Sequence, residues 1–182
     1  MPSFWKVVTL WIFLLLLPRS YQPVLAQDLR PAISPGTPGL SQLSRRAGYI
    51  FAGTVTAVER LAPTTSSDVA TMRITFRVDQ AIRGVRTGDT LTIREWAGLW
   101  ESGERYRPGE RLVLFLYPPS KLGLTSPVGG PAGRFSVDGD GNVALDPSRS
   151  STLDPAAKGY LKGNQRLSSS DFVRAIRRAQ EE

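Results

Sequence analysis

"ATMRITFRVDQAIRG", residues 70–84, alternates apolar and polar side chains through its middle. The even-numbered positions from Met72 to Val78 are apolar, and the odd-numbered positions from Arg73 to Asp79 are polar. Successive side chains of a β-strand point to opposite faces of a sheet, so this alternation is typical of a strand with one buried and one wet face. The stretch therefore predicts a strand in a mainly β fold.

The segments around residues 70–84 predict further strands, because they are rich in β-branched and aromatic residues and are bounded by Gly, Pro or polar loops. Residues 111–117, RLVLFLY, are apolar on both faces and are predicted to form the most buried strand. Gly53 lies inside the first strand and indicates a bulge or a tight bend. The predicted strands are 49–61, 70–84, 90–96, 111–117 and the short pair 134–137 and 142–145.

A short helix and an irregular arm are predicted before the first strand. "LSQLSRRAG", residues 40–48, places Leu40 and Leu43 on one helical face. Residues 27–39 contain too many prolines and glycines for regular structure, which predicts a flexible arm. The predicted β domain then occupies residues 40–146.

An amphipathic C-terminal helix is predicted at residues 168–182, after a polar linker at residues 147–167. Ser168 and Asp171 resemble a capping box, and an apolar stripe begins at Phe172 with arginines on the opposite face. A basic amphipathic helix can lie on a membrane surface, but so short a stripe is more typical of a helix docked on its own domain.

The N-terminus has the features of a secretory signal peptide. Lys6 supplies a positive charge before the apolar run Val7–Leu17, and small residues precede Gln27. This run is shorter than the roughly 20 residues that a membrane-spanning helix needs, although an uncleaved anchor is the alternative. We predict cleavage between Ala26 and Gln27, which removes residues 1–26, leaves no integral membrane segment, and places the mature protein in the periplasm or outside the cell by the Sec route.

The absence of cysteine and histidine excludes several kinds of chemistry. The chain has Cys 0 and His 0, so disulfides, imidazole bases, thiol nucleophiles and the common zinc sites are all impossible. Carboxylate chemistry, Ser–Lys chemistry and oxygen-ligated metals remain, but the predicted mature chain, residues 27–182, contains no S-x-x-K, G-x-S-x-G, Walker A or G-x-G-x-x-G motif. The composition favours a protein that is not an enzyme and has no cofactor, and secretion without cysteine is more typical of bacteria than of animals.

"RFSVDGDGNVAL", residues 134–145, resembles the start of a calcium-binding EF-hand loop. Asp138, Asp140 and Asn142 alternate as oxygen ligands do, but an EF-hand needs Gly at its sixth position and Glu at its twelfth. Counted from Asp138, those positions hold Val143 and Arg149. Asp-Gly between two short apolar runs is a hairpin signal. The stretch therefore predicts a hairpin and no metal site.

The loop "EWAGLWESGERYR", residues 95–107, is the predicted binding site. Aromatic side chains that stack and cationic side chains that donate hydrogen bonds together suit oligosaccharide and peptide ligands. The alternative is that the indoles cap one end of a barrel. We expect Trp100 to be more exposed than Trp96, which directly continues a strand. The candidate residues are Trp96, Trp100, Arg105, Tyr106 and Arg107.

Two other features of the sequence are weaker candidates for a site. Glu95, Glu101, Glu104 and Glu110 include possible glycosidase pairs, although their spacing requires none. Gly129-Gly130 could form a backbone nest for an anion, although no helix is predicted to follow it.

The order of strands and glycines resembles the netrin-like module, the OB-fold domain of tissue inhibitors of metalloproteinases. The likeness covers roughly residues 40–137, through "AGYIFAGTV", "ITFRVDQAIRG", "LTIREW" and "YRPGERLVLFLY". The nearer likeness is to uncharacterised secreted bacterial proteins. The matching residues are Ala47, Gly53, Val55, Gly84, Tyr106, Gly109, Val113 and Leu114.

This resemblance implies a small closed or partly open OB-type barrel of about five to six strands. It does not imply inhibition of metalloproteinases, because inhibition in that family uses an N-terminal cysteine and the predicted mature terminus is Gln27.

We therefore expect a secreted non-catalytic binding module whose ligand is an envelope glycan, a peptide or a protein partner. The alternative is a carboxylate-based hydrolase of envelope glycans. The net charge of +7 indicates solubility or attraction to anionic envelope polymers, since a secreted protein has little access to nucleic acid.

Overall fold

The computed structural model describes residues 38–63, 69–103, 105–145 and 166–181. Within them, the strands form one antiparallel sheet in the order β3-β2-β1-β4-β5-β6-β7. The strands are β1 (Tyr49–Leu61), β2 (Thr71–Arg83), β3 (Thr90–Trp96), β4 (Arg111–Leu116), β5 (Arg134–Val137), β6 (Asn142–Ala144) and β7 (Arg166–Ser168). The helices are α1 (Leu40–Arg46), α2 (Leu99–Ser102) and α3 (Ser169–Glu181), with a 3-10 turn at Gly130–Gly133.

The mainly β fold, the short helix before the first strand and the C-terminal helix are confirmed. Because β4 pairs with β1 on the side away from β2, the first four strands have the spatial order 4-1-2-3 of a Greek key. Among the described residues the sheet does not close, since β3 and β7 are its two edges.

Alternation along β2 controls burial as the sequence predicts. Ile74 and Phe76 are fully buried, whereas Arg73 and Arg77 on the other face are exposed. Strand β4 is different because every residue from Leu112 to Leu116 is buried. Alternate residues of β4 belong to two cores, one on each face of the sheet, which explains the predicted burial of this strand on both faces.

The first core lies between the sheet and the helices α1 and α3. Phe115 of β4 packs edge-on against Phe135, whose ring lies 4.8 Å from the ring of Phe172 in α3. Helix α3 is therefore docked on the sheet through its apolar stripe. The principal members of this helix-side core are Leu40, Leu43, Ile50, Val113, Phe115, Phe135, Val143, Phe172 and Ile176.

The second core lies on the opposite face of the sheet. Phe76 is at its centre and makes edge contacts with both Phe51 and Tyr106, with each pair of ring centroids 5.5 Å apart. We call this the inner core, and its other principal members are Val55, Ile74, Val78, Ile93, Trp100, Leu112, Leu114 and Leu116.

Gly53 marks an irregularity in β1, as predicted. The pairing of β1 with β2 shifts register between Ala52 and Gly53. A Cβ atom at Gly53 would lie 2.7 Å from the carbonyl oxygen of Arg77, so the close approach of the two backbones requires glycine here.

The predicted hairpin is confirmed, because β5 and β6 are antiparallel neighbours that pair at Val137 and Val143. Two local predictions are wrong. Leu99–Ser102 forms a helical turn where a loop was expected, and Arg166 and Leu167 belong to β7 where a linker was expected.

The predicted signal peptide and its cleavage site at Ala26 and Gln27, most of the arm and most of the linker lie outside the described residues. Among the residues that are described, no helix has the length and apolar character needed to cross a membrane.

Candidate functional site

A pocket of about 380 Å³ opens beside the inner core, between α2 and the 3-10 turn. Its volume is within the range of small-molecule binding sites. We call it the Glu95 pocket. Its lining residues are Glu95, Leu99, Trp100, Gly103, Tyr106, Tyr117, Ser126, Pro127, Gly129, Gly130, Pro131 and Arg134.

Glu95 brings a carboxyl group into the largely apolar interior of this pocket. Alternation along β3 places it on the same face as Leu91 and Ile93, and only 3% of its surface is exposed. The burial of Glu95 could have been predicted from the sequence, because residues 91, 93 and 95 alternate along one strand and therefore share a face. Glu95 is thus buried, whereas its place at the start of the polar loop 95–107 favours a solvated side chain.

Two aromatic side chains donate hydrogen bonds to this carboxylate. The indole N–H of Trp100 donates to Glu95 Oε2 at 3.1 Å, and the hydroxyl of Tyr106 donates to Oε1 at 3.2 Å. Burial raises the pKa of Glu95, although both hydrogen bonds and the charge of Arg134 act in the opposite direction. Burial therefore favours the protonated form of Glu95 more than water does.

Arg134 of β5 forms one wall of the pocket. Its Nη2 lies 2.7 Å from Glu110 Oε1 and also donates to the carbonyl oxygen of Arg105 at 3.1 Å. Its guanidinium carbon is 4.4 Å from the ring centroid of Tyr106, a cation–π distance. Burial and the neighbouring Glu95 carboxylate raise the pKa of Tyr106, so its hydroxyl keeps its proton.

A loop closes the side of the pocket between β3 and β4. Thr125 N donates to the carbonyl oxygen of Arg94 at 2.9 Å, and Tyr117 N donates to that of Ser126 at 3.0 Å. These two hydrogen bonds hold residues 118–127 against the C-terminal ends of β3 and β4. The wall is therefore fixed by backbone hydrogen bonds.

The five predicted binding residues are divided among three adjoining concavities. Trp100 and Tyr106 line the Glu95 pocket, whereas Trp96 lies beside a second groove. Arg105 and Arg107 line a third groove.

The expectation that Trp100 is more exposed than Trp96 is wrong. Trp96 is 50% exposed and Trp100 is 9% exposed. Alternation along β3 points the Trp96 side chain to the exposed face of the sheet. The helical turn α2 instead places the Trp100 indole over the Glu95 carboxylate.

The candidate glutamates that the structure describes, Glu95, Glu101 and Glu110, do not form a facing pair in the pocket. Among the described residues of its lining, Glu95 supplies the carboxylate, while Glu110 lines the third groove and is paired with Arg134. Glu101 is exposed, and Glu104 lies outside the described residues.

The two glycines predicted as a possible anion nest lie at the pocket. Gly129 and Gly130 both have positive φ, at 68° and 61°. The amide of Gly130 donates to the carbonyl oxygen of Pro127 at 3.0 Å, so this amide is used within the turn.

Comparison of the chain with protein-family models, with curated proteins and with solved structures gave no match. The resemblance to netrin-like modules therefore stays a prediction from sequence. A function for the protein has to be argued from the geometry and charges of the Glu95 pocket.

Proposed function

We propose that the protein is a secreted, non-catalytic binding module of the OB type that holds its ligand in the Glu95 pocket. The observation that carries this proposal is a concave, aromatic-walled pocket with a buried carboxylate that two aromatic side chains orient. The Greek-key order of the first four strands supports an OB-type, partly open barrel.

Binding is favoured over glycan hydrolysis by the carboxylates. Most glycoside hydrolases place an acid and a second carboxylate on either side of the scissile bond. Within the described lining, Glu95 has no such partner, and Glu110 is engaged by the Arg134 guanidinium. The hydrolase alternative therefore has no supporting pair among these residues.

The pocket continues into the groove beside Trp96, because Leu99, Tyr117 and Ser126 line both. The half-exposed indole of Trp96 offers a platform on which a sugar ring or a peptide side chain can stack. The combined surface suits an extended ligand, either an envelope glycan or a peptide segment of a partner, anchored at one point in the Glu95 pocket.

The test is binding of the labelled mature protein to arrays of bacterial envelope glycans and of peptides. Ser126→Tyr would fill the pocket from a half-buried position, and Gln42→Ala on the exposed side of α1 is the control. We expect ligands that bind the native protein and the control to be lost in Ser126→Tyr. If Ser126→Tyr has a native circular dichroism spectrum and keeps every ligand, the pocket is not the binding site.

A further inference from the structure

We infer that the Glu95 pocket selects a cationic group, a primary ammonium or a guanidinium, with the Glu95 carboxylate as its counter-charge. This inference rests on the proposed function, because it names the chemical class of the ligand for the same pocket. It is carried by the charges, hydrogen bonds and aromatic walls around one buried carboxylate.

The charges in contact at the pocket leave one carboxylate in excess. Arg134 is paired with Glu110 at 2.7 Å, while, among the described residues, the hydrogen bonds to Glu95 come from the neutral groups of Trp100 and Tyr106. When both carboxylates are ionised, this cluster therefore carries a net negative charge within a chain whose overall charge is +7. A ligand cation would balance it.

Glu95 also has room for a further donor. An ionised carboxylate has about four acceptor positions, and the two described donors use one on each oxygen. A carboxylate buried without a full set of partners is costly, and a cation recovers part of this cost. An ammonium or guanidinium would supply charged N–H donors, which make stronger hydrogen bonds than neutral donors.

The walls suit the rest of such a group. Trp100, Tyr106 and Tyr117 line the pocket, and aromatic faces attract cations. Leu99 and the prolines at 127 and 131 complete the apolar lining, against which the methylene stem of a lysine or arginine side chain can pack. A lysine or arginine residue of a peptide has this combination of stem and head group.

An anion would fit the pocket poorly. The Nη2 group of Arg134 is engaged by Glu110 and by the carbonyl oxygen of Arg105, and the amide of Gly130 is used within its turn. An anionic group would also meet the Glu95 carboxylate.

Three probes with the same four-carbon tail test the inference: n-butylammonium, n-butanol and butyrate. Binding is followed at pH 8 by the NMR signal of the Trp100 indole N–H, which donates to Glu95, with the backbone N–H of Gln42 on the exposed side of α1 as an internal reference. We expect n-butylammonium to bind at least about tenfold more tightly than n-butanol, the effect of one hydrogen bond to a charged group. Butyrate is expected to bind more weakly than either.

Glu95→Gln removes the charge and keeps the shape, so it should abolish the preference for n-butylammonium over n-butanol. Glu101→Gln removes an exposed carboxylate from the neighbouring helix and should leave the preference unchanged.

Should Glu95→Gln fail to fold, the pH dependence of the native protein gives the same information. The groups around Glu95 are Tyr106, which stays protonated, and the pair Arg134–Glu110. We therefore expect the affinity for n-butylammonium, but not for n-butanol, to fall as acidification protonates Glu95.

Each result decides between the two proposals. If n-butylammonium and n-butanol shift the Trp100 signal with equal affinity, selection of a cation is wrong while the pocket remains a binding site. If butyrate binds most tightly, selection of a cation is likewise overturned. If no probe shifts the signal at millimolar concentration and the arrays show no ligand lost in Ser126→Tyr, both proposals are wrong.

Discussion

Trp96 and Trp100 are close in the chain but lie in opposite surroundings. Trp100 packs against the ring of Tyr106 and donates to Glu95, whereas half of the Trp96 surface is exposed. We expect Trp100→Ala to lower the free energy of unfolding by about 3–5 kcal/mol, since it empties a buried site and removes a donor to a buried carboxylate. Trp96→Ala should cost about 1 kcal/mol or less, because its indole is only partly removed from water.

Urea denaturation followed by circular dichroism measures both changes without depending on tryptophan fluorescence. Equal losses of stability in the two variants would contradict the assignment of Trp100 to the inner core. Loss of ligand binding in Trp96→Ala, with stability kept, would support the role of the exposed indole as a stacking platform.

Glu95 should make the stability of the protein depend on pH. Because burial raises its pKa, the folded protein keeps a proton that the unfolded chain releases between the ordinary pKa of glutamate and the raised value. Stability therefore falls as the pH rises through that interval. Glu95→Gln cannot titrate, so we expect its Tm, relative to the native protein, to be more favourable at pH 8 than at pH 4.

The matched control is Glu101→Gln on α2, whose carboxylate is exposed. Its Tm difference from the native protein should be the same at both pH values within experimental error. A Glu95→Gln difference that is equally independent of pH would show that the carboxyl group is not perturbed by burial.

Among the secondary-structure elements, the β5–β6 hairpin depends on one aspartate. Asp138 Oδ1 accepts the backbone N–H of Asp140 at 3.0 Å and of Asn142 at 2.8 Å. Removing this acceptor in Asp138→Ala should cost about 1–2 kcal/mol, since two backbone amides lose their partner. Asp138→Asn should cost less because its amide oxygen can accept the same bonds. Asp140→Ala, which removes an exposed carboxylate, is the control for urea denaturation.

The same hairpin should be indifferent to calcium. One oxygen of Asp138 is already used by the turn, and Val143, at the sixth position of the supposed loop, is fully buried in the helix-side core. A calcium loop would need a glycine there to turn the chain. We expect the Tm to be unchanged by millimolar calcium, and a clear increase on adding the ion would refute the hairpin interpretation.

For the molecule as a whole, export is the prediction with the most direct test. The sequence places a signal peptide at residues 1–26, and cleavage removes the positive charges of Lys6 and Arg19 and no acid. Intact-mass measurement on protein recovered from the periplasm or the medium should give the mass of a chain that begins at Gln27. A mass that includes residues 1–26 would contradict export with cleavage.

The local pattern of apolar and polar residues predicted the strands well, because successive side chains of a strand point to opposite faces of the sheet. The alternation in residues 70–84 gave the two faces of β2, and the continuous apolar run gave the doubly covered β4. The helical stripe at Phe172 gave the buried face of α3 for the same reason, with a period of 3.6 in place of 2. These features are determined over a few residues, so the sequence alone was sufficient for them.

Strand β7 and the turn α2 were missed because their structure depends on distant partners. Leu167 is buried and pairs with Val143, and this pairing turns a short polar-looking segment into a strand. Helix α2 is only one turn long, and a helix of that length is stabilised by tertiary packing more than by propensity.

By itself, then, the sequence determined which residues of β2, β4 and α3 face a core, where the chain turns at Asp138 and which chemistry the absence of cysteine and histidine excludes. Only the tertiary structure decided the open sheet order and the composition of the pocket. Glu95, Tyr106 and Arg134 come from β3, the segment before β4, and β5, and their hydrogen bonds and charges meet only after those strands have paired. Local periodicity assigns a side chain to one face of an element, but long-range packing decides which groups lie opposite that face. Here that packing placed one buried carboxylate among aromatic side chains.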